Sequence, residues 1–311
     1  MRGFSSAGLL VAALLAALPA AAEEIVLDTG SGTLSGTLER PAGARPAVCA
    51  LIIPGSGPTD RDGNQAGLRN DSLKQLALGL AQRGICTLRY DKRGVGASAA
   101  ALVAESSLRF EDYVADAAAW IPRLARVGRV ARVAAVGHSE GALVALLAAR
   151  RGSVAAVVSI AGAGRPAAEL IREQLQRLPG DMPRRGEAIL DELVLERPVR
   201  DVPAEFGALF RPSVQPYLMS WMRYDPASEA RAPGVPMLIV QGTTDLQVPV
   251  GEAKILAASN PLAALSLIPD MNHVLKRSPP GEDQRAAYTD PSIPIDPRVV
   301  DAIAGFLLNP P

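Results

Sequence analysis

Short, largely apolar runs alternate along the chain with segments whose apolar positions recur at helical spacing. Residues 47–53 (AVCALII), 130–136, 154–160 and 235–240 are runs of the first kind, each followed by glycine-containing turn sequence or a proline. Such runs suit strands buried on both faces of a parallel sheet. Residues 85–90 and 264–268 read as further strands, and 24–28 and 32–39 as a hairpin turned at Thr29-Gly30-Ser31. Residues 71–82, 110–124, 142–150, 251–258 and 299–308 carry helical patterns between and after them. The order predicts an α/β fold with a mostly parallel eight-stranded sheet flanked by helices.

The alternation breaks once. Residues 165–233 hold helical segments interrupted by prolines and no strand-like run. The pattern therefore predicts a helical lid inserted between strands six and seven, with a core made of residues 23–164 and 234–311. Residues 1–22 have the form of a secretory signal peptide: Arg2, an apolar stretch over 9–18 (LLVAALLAAL), then Ala20-Ala21-Ala22 before Glu23. That stretch is shorter than the roughly 20 residues a spanning helix needs, so a retained anchor ranks second. The expectation is a periplasmic or secreted protein cut after Ala22, with no stable membrane insertion afterwards.

Charge narrows the partners. Lysine plus arginine and aspartate plus glutamate each number 32, which leaves no electrostatic footprint for nucleic acid or an anionic membrane. Two cysteines, Cys49 and Cys86, lie in strand-like runs. They read either as two buried small side chains or, in an exported protein, as a disulfide. Cysteine and histidine lack metal-ligand spacing, and neither a metal nor a cofactor is expected. The oligomeric state is not written in the sequence.

Sheets of this kind bind ligands beyond the carboxyl ends of their strands. Four segments there carry chemistry. Gly137-His138-Ser139-Glu140-Gly141 is a G-x-S-x-G between a strand and a helix. Its glycines are needed because side chains at those positions would strike the flanking elements, and the turn would present Ser139 as a nucleophile. Of the two histidines in the chain, His138 sits beside the serine, where the turn should aim it elsewhere in a structural role. His273 remains as the base that a serine hydroxyl requires. Asp245, in Gln241-Gly242-Thr243-Thr244-Asp245, falls between Ser139 and His273, giving the order serine, acid, histidine. It would fix the imidazole tautomer and offset the imidazolium charge. Asp270 is the competing acid and ranks below Asp245. The loop over 54–64 (PGSGPTDRDGN) follows the third strand. The backbone N–H groups of Ser56 and Glu140 are the expected oxyanion donors. Gly55-Ser56-Gly57 lacks the third glycine of a dinucleotide fingerprint, and Asp60-x-Asp62-Gly63 lacks the spacing and closing glutamate of a calcium loop.

Together, PGSGPTDRDGN, YDKRGVGAS, GHSEG, GTTDLQVP and MNHVLK resemble the α/β-hydrolase superfamily, in particular bacterial carboxylesterases and serine-aminopeptidase-like hydrolases with a G-S-G-P-x-D-R-D oxyanion loop. The resemblance implies a triad of Ser139, Asp245 and His273. It departs from the family at Pro54, a position that is often histidine. It also suggests that Asp60, Arg61, Asp62, Asp91 and Arg93 tie the two glycine-rich loops together. Phe206, Phe210, Tyr217 and Trp221 in the insertion are expected to wall the substrate pocket. The expected substrate is a small-molecule carboxylic ester with a short acyl group, cleaved through an acyl-enzyme. Two alternatives stand beside it: an aminopeptidase or acyl-peptide hydrolase with the same triad, holding the substrate amine with Glu169, Glu173, Glu187, Asp191 or Glu192, and a non-catalytic binding protein on the same scaffold.

Overall fold

A computed structural model describes residues 22–43, 46–102, 104–231 and 234–310. The expected signal peptide lies outside the described residues except for Ala22, which opens the first strand. Eight strands form one sheet: β1 (Ala22–Asp28), β2 (Thr33–Glu39), β3 (Val48–Ile53), β4 (Cys86–Tyr90), β5 (Arg132–His138), β6 (Ala156–Ile160), β7 (Met237–Gly242) and β8 (Ala264–Ile268). Their spatial order is β1-β2-β4-β3-β5-β6-β7-β8. β1 and β2 pair antiparallel, β2 pairs antiparallel with β4, and every pairing from β4 to β8 is parallel.

The helices follow the pattern read from the sequence. They begin with α1 (Ser72–Gln82), α2 (Phe110–Gly128) and α3 (Glu140–Arg151). Between β6 and β7 come α4 (Ala167–Leu175), α5 (Met182–Val194), α6 (Gly207–Phe210), α7 (Gln215–Met222) and α8 (Pro226–Ala230), with no strand among the described residues. The chain ends with α9 (Val250–Ser259), α10 (Arg285–Thr289) and α11 (Pro297–Leu308). α2 carries Pro122 inside it and runs on to Gly128, past the expected end at residue 124. The short α10 leaves no mark in the sequence pattern, because five residues present too little periodicity to read.

Alternate residues of each central strand face opposite layers. In β3, Val48, Ala50 and Ile52 join one core, while Cys49, Leu51 and Ile53 join the other, and none is more than 1% exposed. Helices α1 and α11 cover the first face; α2, α3, α9 and the inserted helices cover the second. Strand order reverses at β3, whose neighbours β4 and β5 are reached by crossovers in opposite directions. A crevice opens beyond the carboxyl ends of strands at such a point, and the loops after β3 and β5 meet there.

Cys49 and Cys86 are register partners on β3 and β4 and form a disulfide. Both are fully buried, and Gly128 closes α2 over the bond, since a Cβ there would lie 2.5 Å from the Cys49 Sγ. The bridge closes a loop with a sequence separation of 37. Constraining the unfolded chain in that way contributes about 3–4 kcal/mol. Replacing both cysteines by alanine should therefore lower the unfolding free energy by at least that order in urea titration. An unchanged midpoint would show that the bond adds nothing to stability.

Candidate active site

Ser139 lies between β5 and α3 with φ 55° and ψ −123°, a conformation rarely taken by a residue with a side chain. The glycines around it explain how the turn closes. A Cβ on Gly137 would run into the Gly141 carbonyl, and one on Gly141 into the carbonyl of Ile53 at the end of β3. The Ser139 N–H donates to the Ile160 carbonyl at 2.8 Å, which ties the turn to β6. A Cβ on Gly55 would sit 3.1 Å from the Ser139 Cβ, a tight contact, so glycine eases the close approach of the loop after β3 to the serine.

His273 follows β8 on a loop folded around Asn272. The Asn272 side chain accepts from the N–H groups of Val274 and Lys276 at 3.1 and 3.0 Å and donates to the Ser278 Oγ at 3.0 Å. Asp245 stands at the end of β7, where the Thr244 N–H donates to the Met271 carbonyl at 3.1 Å. Gly242 allows this approach, because a Cβ there would collide with the same carbonyl. The result is a 2.8 Å hydrogen bond from His273 Nδ1 to Asp245 Oδ2. The other Asp245 oxygen accepts from the N–H groups of Gln247 and Val248 at 2.8 and 2.9 Å. Burial pushes the Asp245 carboxyl up, but the His273 charge and hydrogen bond and the two backbone donors outweigh it and hold the pKa below the usual value. Asp270 stays away from His273. Its N–H donates to the Thr243 hydroxyl at 2.9 Å, and its carboxylate lies 3.6 Å from Arg277.

A model of the alpha/beta hydrolase family matches residues 50–288. The chain belongs to that family. It is 29% identical over 286 residues to "Esterase EstD" of Thermotoga maritima; the match covers 89% of this chain but 66% of that protein, so the chain spans just under two thirds of its relative's length. In fold it is similar to Est1E from Butyrivibrio proteoclasticus solved with ferulic acid, at TM-score 0.62 and 18% identity over 91% of this chain and 98% of that one. It is also similar to a thermophilic esterase from Thermogutta terrifontis solved with malate, at TM-score 0.56 and 18% identity over 93% and 98%.

In this hydrolase-fold chain, two cavities meet at Ser139. The larger, about 400 Å³, is lined by Ser56, Ser139, Glu140, Leu143, Tyr217 and Trp221 among others. The smaller, about 300 Å³, is lined by Gly55, Ser56, His138, Ser139, His273 and Tyr288 among others. All three members of the expected triad thus converge, directly or through the Asp245–His273 bond, and both expected oxyanion donors belong to residues at the same wall. Tyr217 and Trp221 line the larger cavity.

Phe206 and Phe210 do not. They are 2% and 0% exposed, pack against each other at 6.3 Å between ring centroids, and form the insertion's own core, with Arg185 over the Phe206 ring at 5.9 Å. Five short helices need apolar residues to hold one another, and these two phenylalanines serve that need. The charged loops also differ in part from expectation. Arg61 joins the two loops as expected, its N–H and guanidinium donating to Asp91 at 2.8 and 2.9 Å. Asp60 instead accepts from its own loop, at the N–H groups of Asp62 and Asn64. Asp62 accepts from Arg89 at 2.6 Å. Arg93 turns to Asp116 in α2 at 2.6 and 3.0 Å, because the loop after β4 places it on that side.

His138 is not aimed away from the site. Its Nε2 lies 2.8 Å from the His273 carbonyl and the two rings are 4.8 Å apart. A carbonyl only accepts, so Nε2 carries the proton. Burial, and then the nearby His273, push its pKa down to about 4. The folded state therefore resists protonation. Stability from this group is complete above the unfolded value near 6.5 and is lost as pH falls toward 4. His138→Gln should keep an N–H donor without the titration. In urea unfolding it should shrink the stability loss between pH 7.5 and 4.5 by about 2 kcal/mol relative to wild type; equal losses in both proteins would refute the shift.

Proposed function

We propose that this chain is a serine esterase that cleaves short-acyl carboxylic esters of small molecules through an acyl-enzyme on Ser139. The observation that carries the reading is the 2.8 Å His273–Asp245 hydrogen bond beside a serine held on a strained turn in a shared cavity. Because Nδ1 is committed to Asp245, Nε2 is the nitrogen left to take the Ser139 proton. Ser139 Oγ attacks the ester carbonyl as that proton leaves. The N–H groups of Ser56 and Glu140 meet the oxygen that becomes negative. The carbon–oxygen bond to the alcohol breaks, and His273 returns the proton to the departing alkoxide. Water, deprotonated by His273, then releases the acid and restores Ser139. No cofactor or metal takes part in this scheme.

The aminopeptidase alternative is weaker. The lid carboxylates expected to hold an amine are already engaged: Glu173 with Arg165 at 2.8 Å, Asp191 with Arg172 at 2.7 Å, Glu192 with Arg197 at 2.7 Å, Glu169 with Arg165 at 3.6 Å, and Glu187 with Gln176. None of them lines either cavity. The inserted helices act as a lid whose apolar wall receives the acyl group. Trp221 stacks on Phe110 at 6.1 Å and closes part of that wall.

We further propose export, with the leader removed after Ala22. The buried Cys49–Cys86 disulfide supports this, since such bonds persist mainly in oxidising compartments. Cleavage there would remove only the first residue of β1. Mass spectrometry of exported protein should find Glu23 at the N-terminus, and an intact leader would reject it.

Ser139→Ala and His273→Ala should each lower kcat by about 10³-fold or more with the fold intact. Asp245→Asn should be far worse than Asp270→Asn, because an amide favours the wrong imidazole tautomer; the reverse order would remove Asp245 from the triad. Activity on a p-nitrophenyl ester series should peak at acyl chains of about two to six carbons. Trp221→Ala should broaden the profile, raising KM for short esters more than it lowers kcat. A wild-type optimum at about twelve carbons or more would overturn the acyl assignment.

A further inference from the structure

Lys92 follows β4 in the second glycine-rich loop and is 2% exposed. Its Nζ donates to the Gly55 carbonyl at 2.6 Å, lies 3.7 Å from Glu140 Oε1, and sits 4.7 Å from the centre of the Tyr113 ring. Burying an ammonium is costly, and here burial, opposed by Glu140, lowers the lysine's pKa. Buried ion pairs are weak devices for stability, because desolvation offsets most of the attraction. The contacts point to a different role. Lys92 touches the side chain of Glu140 and the Gly55 carbonyl, which shares its peptide group with the Ser56 N–H, so it bears on both oxyanion donors of the proposed mechanism.

In a trans peptide the carbonyl of one residue and the N–H of the next point to opposite edges of the same plane. A donor fixed on the Gly55 carbonyl therefore fixes the direction of the Ser56 N–H. Hydrogen bonding to one end of an amide also strengthens the donor at its other end.

We propose that Lys92 is a positioning residue of the oxyanion hole: it anchors the Gly55 carbonyl so that the Ser56 N–H faces the reacting centre, and it pairs with Glu140, which supplies the second donor. This rests on the serine-esterase reading above. It predicts a loss in the transition state and little loss in ground-state binding, since a misdirected donor matters most when the oxygen is charged.

The test compares wild type, Ser139→Ala, Lys92→Met and Lys92→Met/Glu140→Gln, the last removing both buried charges together. Circular dichroism and urea unfolding establish which variants fold. With p-nitrophenyl acetate, a folded lysine variant should lose about 10²-fold in kcat while KM stays within about threefold. A trifluoromethyl ketone, which forms a tetrahedral oxyanion adduct with the serine, should bind more weakly by the same factor as kcat/KM falls. A merely structural lysine would not link those two losses. The proposal is overturned if a folded variant keeps wild-type kcat, if the loss sits in KM, or if neither variant folds, which would make the lysine a stability element. Ser139→Ala separates the underlying reading: a wild type without esterase activity, or an equally active Ser139→Ala, sinks both ideas. An active wild type, a dead Ser139→Ala and an intact Lys92→Met sink only the role of Lys92.

Discussion

Between the end of β5 and the first turn of α3 there is no room for a side chain at either glycine flanking Ser139. Gly137 presses on the Gly141 carbonyl, and Gly141 on Ile53 of the neighbouring strand. This contact brings the N-terminus of α3 down onto the crevice at β3, and Ser139 takes the strained conformation that results. The serine, the Glu140 amide and the loop after β3 share one small volume for this reason. The Gly55 approach to the Ser139 Cβ and the Gly242 approach to Met271 repeat the same device at two other strand ends. Bare backbone at the carboxyl edge of the sheet lets three loops converge.

Convergence of bare loops leaves them unsupported, and buried charge supplies the support. Arg61 gathers Glu24 of β1, Thr37 of β2 and Asp91 after β4. Arg89 joins Glu39 to Asp62 at 2.8 and 2.6 Å. Lys92 reaches the loop after β3 from below. Each cation is fixed by at least two partners on different segments, so no single loop can shift alone. Such groups contribute little net stability after desolvation, but they define one arrangement of the loops against alternatives.

The core strands were readable from the sequence because they are buried on both faces, which leaves a continuous apolar run such as 47–53. The proposed triad was readable for a different reason. With only two histidines in the chain, His273 was the candidate base left once His138 fell on the serine turn. What stayed hidden depends on contacts across the fold. Phe206 and Tyr217 look alike as aromatic residues in a helical insertion, yet one fills the insertion's core and the other faces the cavity. No local pattern separates them, because Phe206 sits at the entry to the four-residue α6 and Tyr217 in the eight-residue α7, both too short to show a periodicity. Arg93 and Lys92 are neighbours in YDKRG, and only the turn of the loop sends one to Asp116 and the other to the Gly55 carbonyl. The sequence offered two states for the cysteines, and the register of β3 on β4 decided between them.

The contact between the two imidazoles then follows from charge. Their rings are 4.8 Å apart, and two positive charges at about that distance would repel by about 3 kcal/mol at an effective dielectric near 20. In the proposed mechanism His273 becomes an imidazolium during each turnover, and Asp245 is placed to offset one such charge. A second charge on His138 would cancel that advantage. Burial keeps His138 neutral, and its Nε2 proton is spent on the His273 carbonyl. The same side chain thus braces the loop that carries the base and stays electrically silent beside it. A lysine or arginine at residue 138 could donate the same hydrogen bond, but it would bring the charge that His138 avoids.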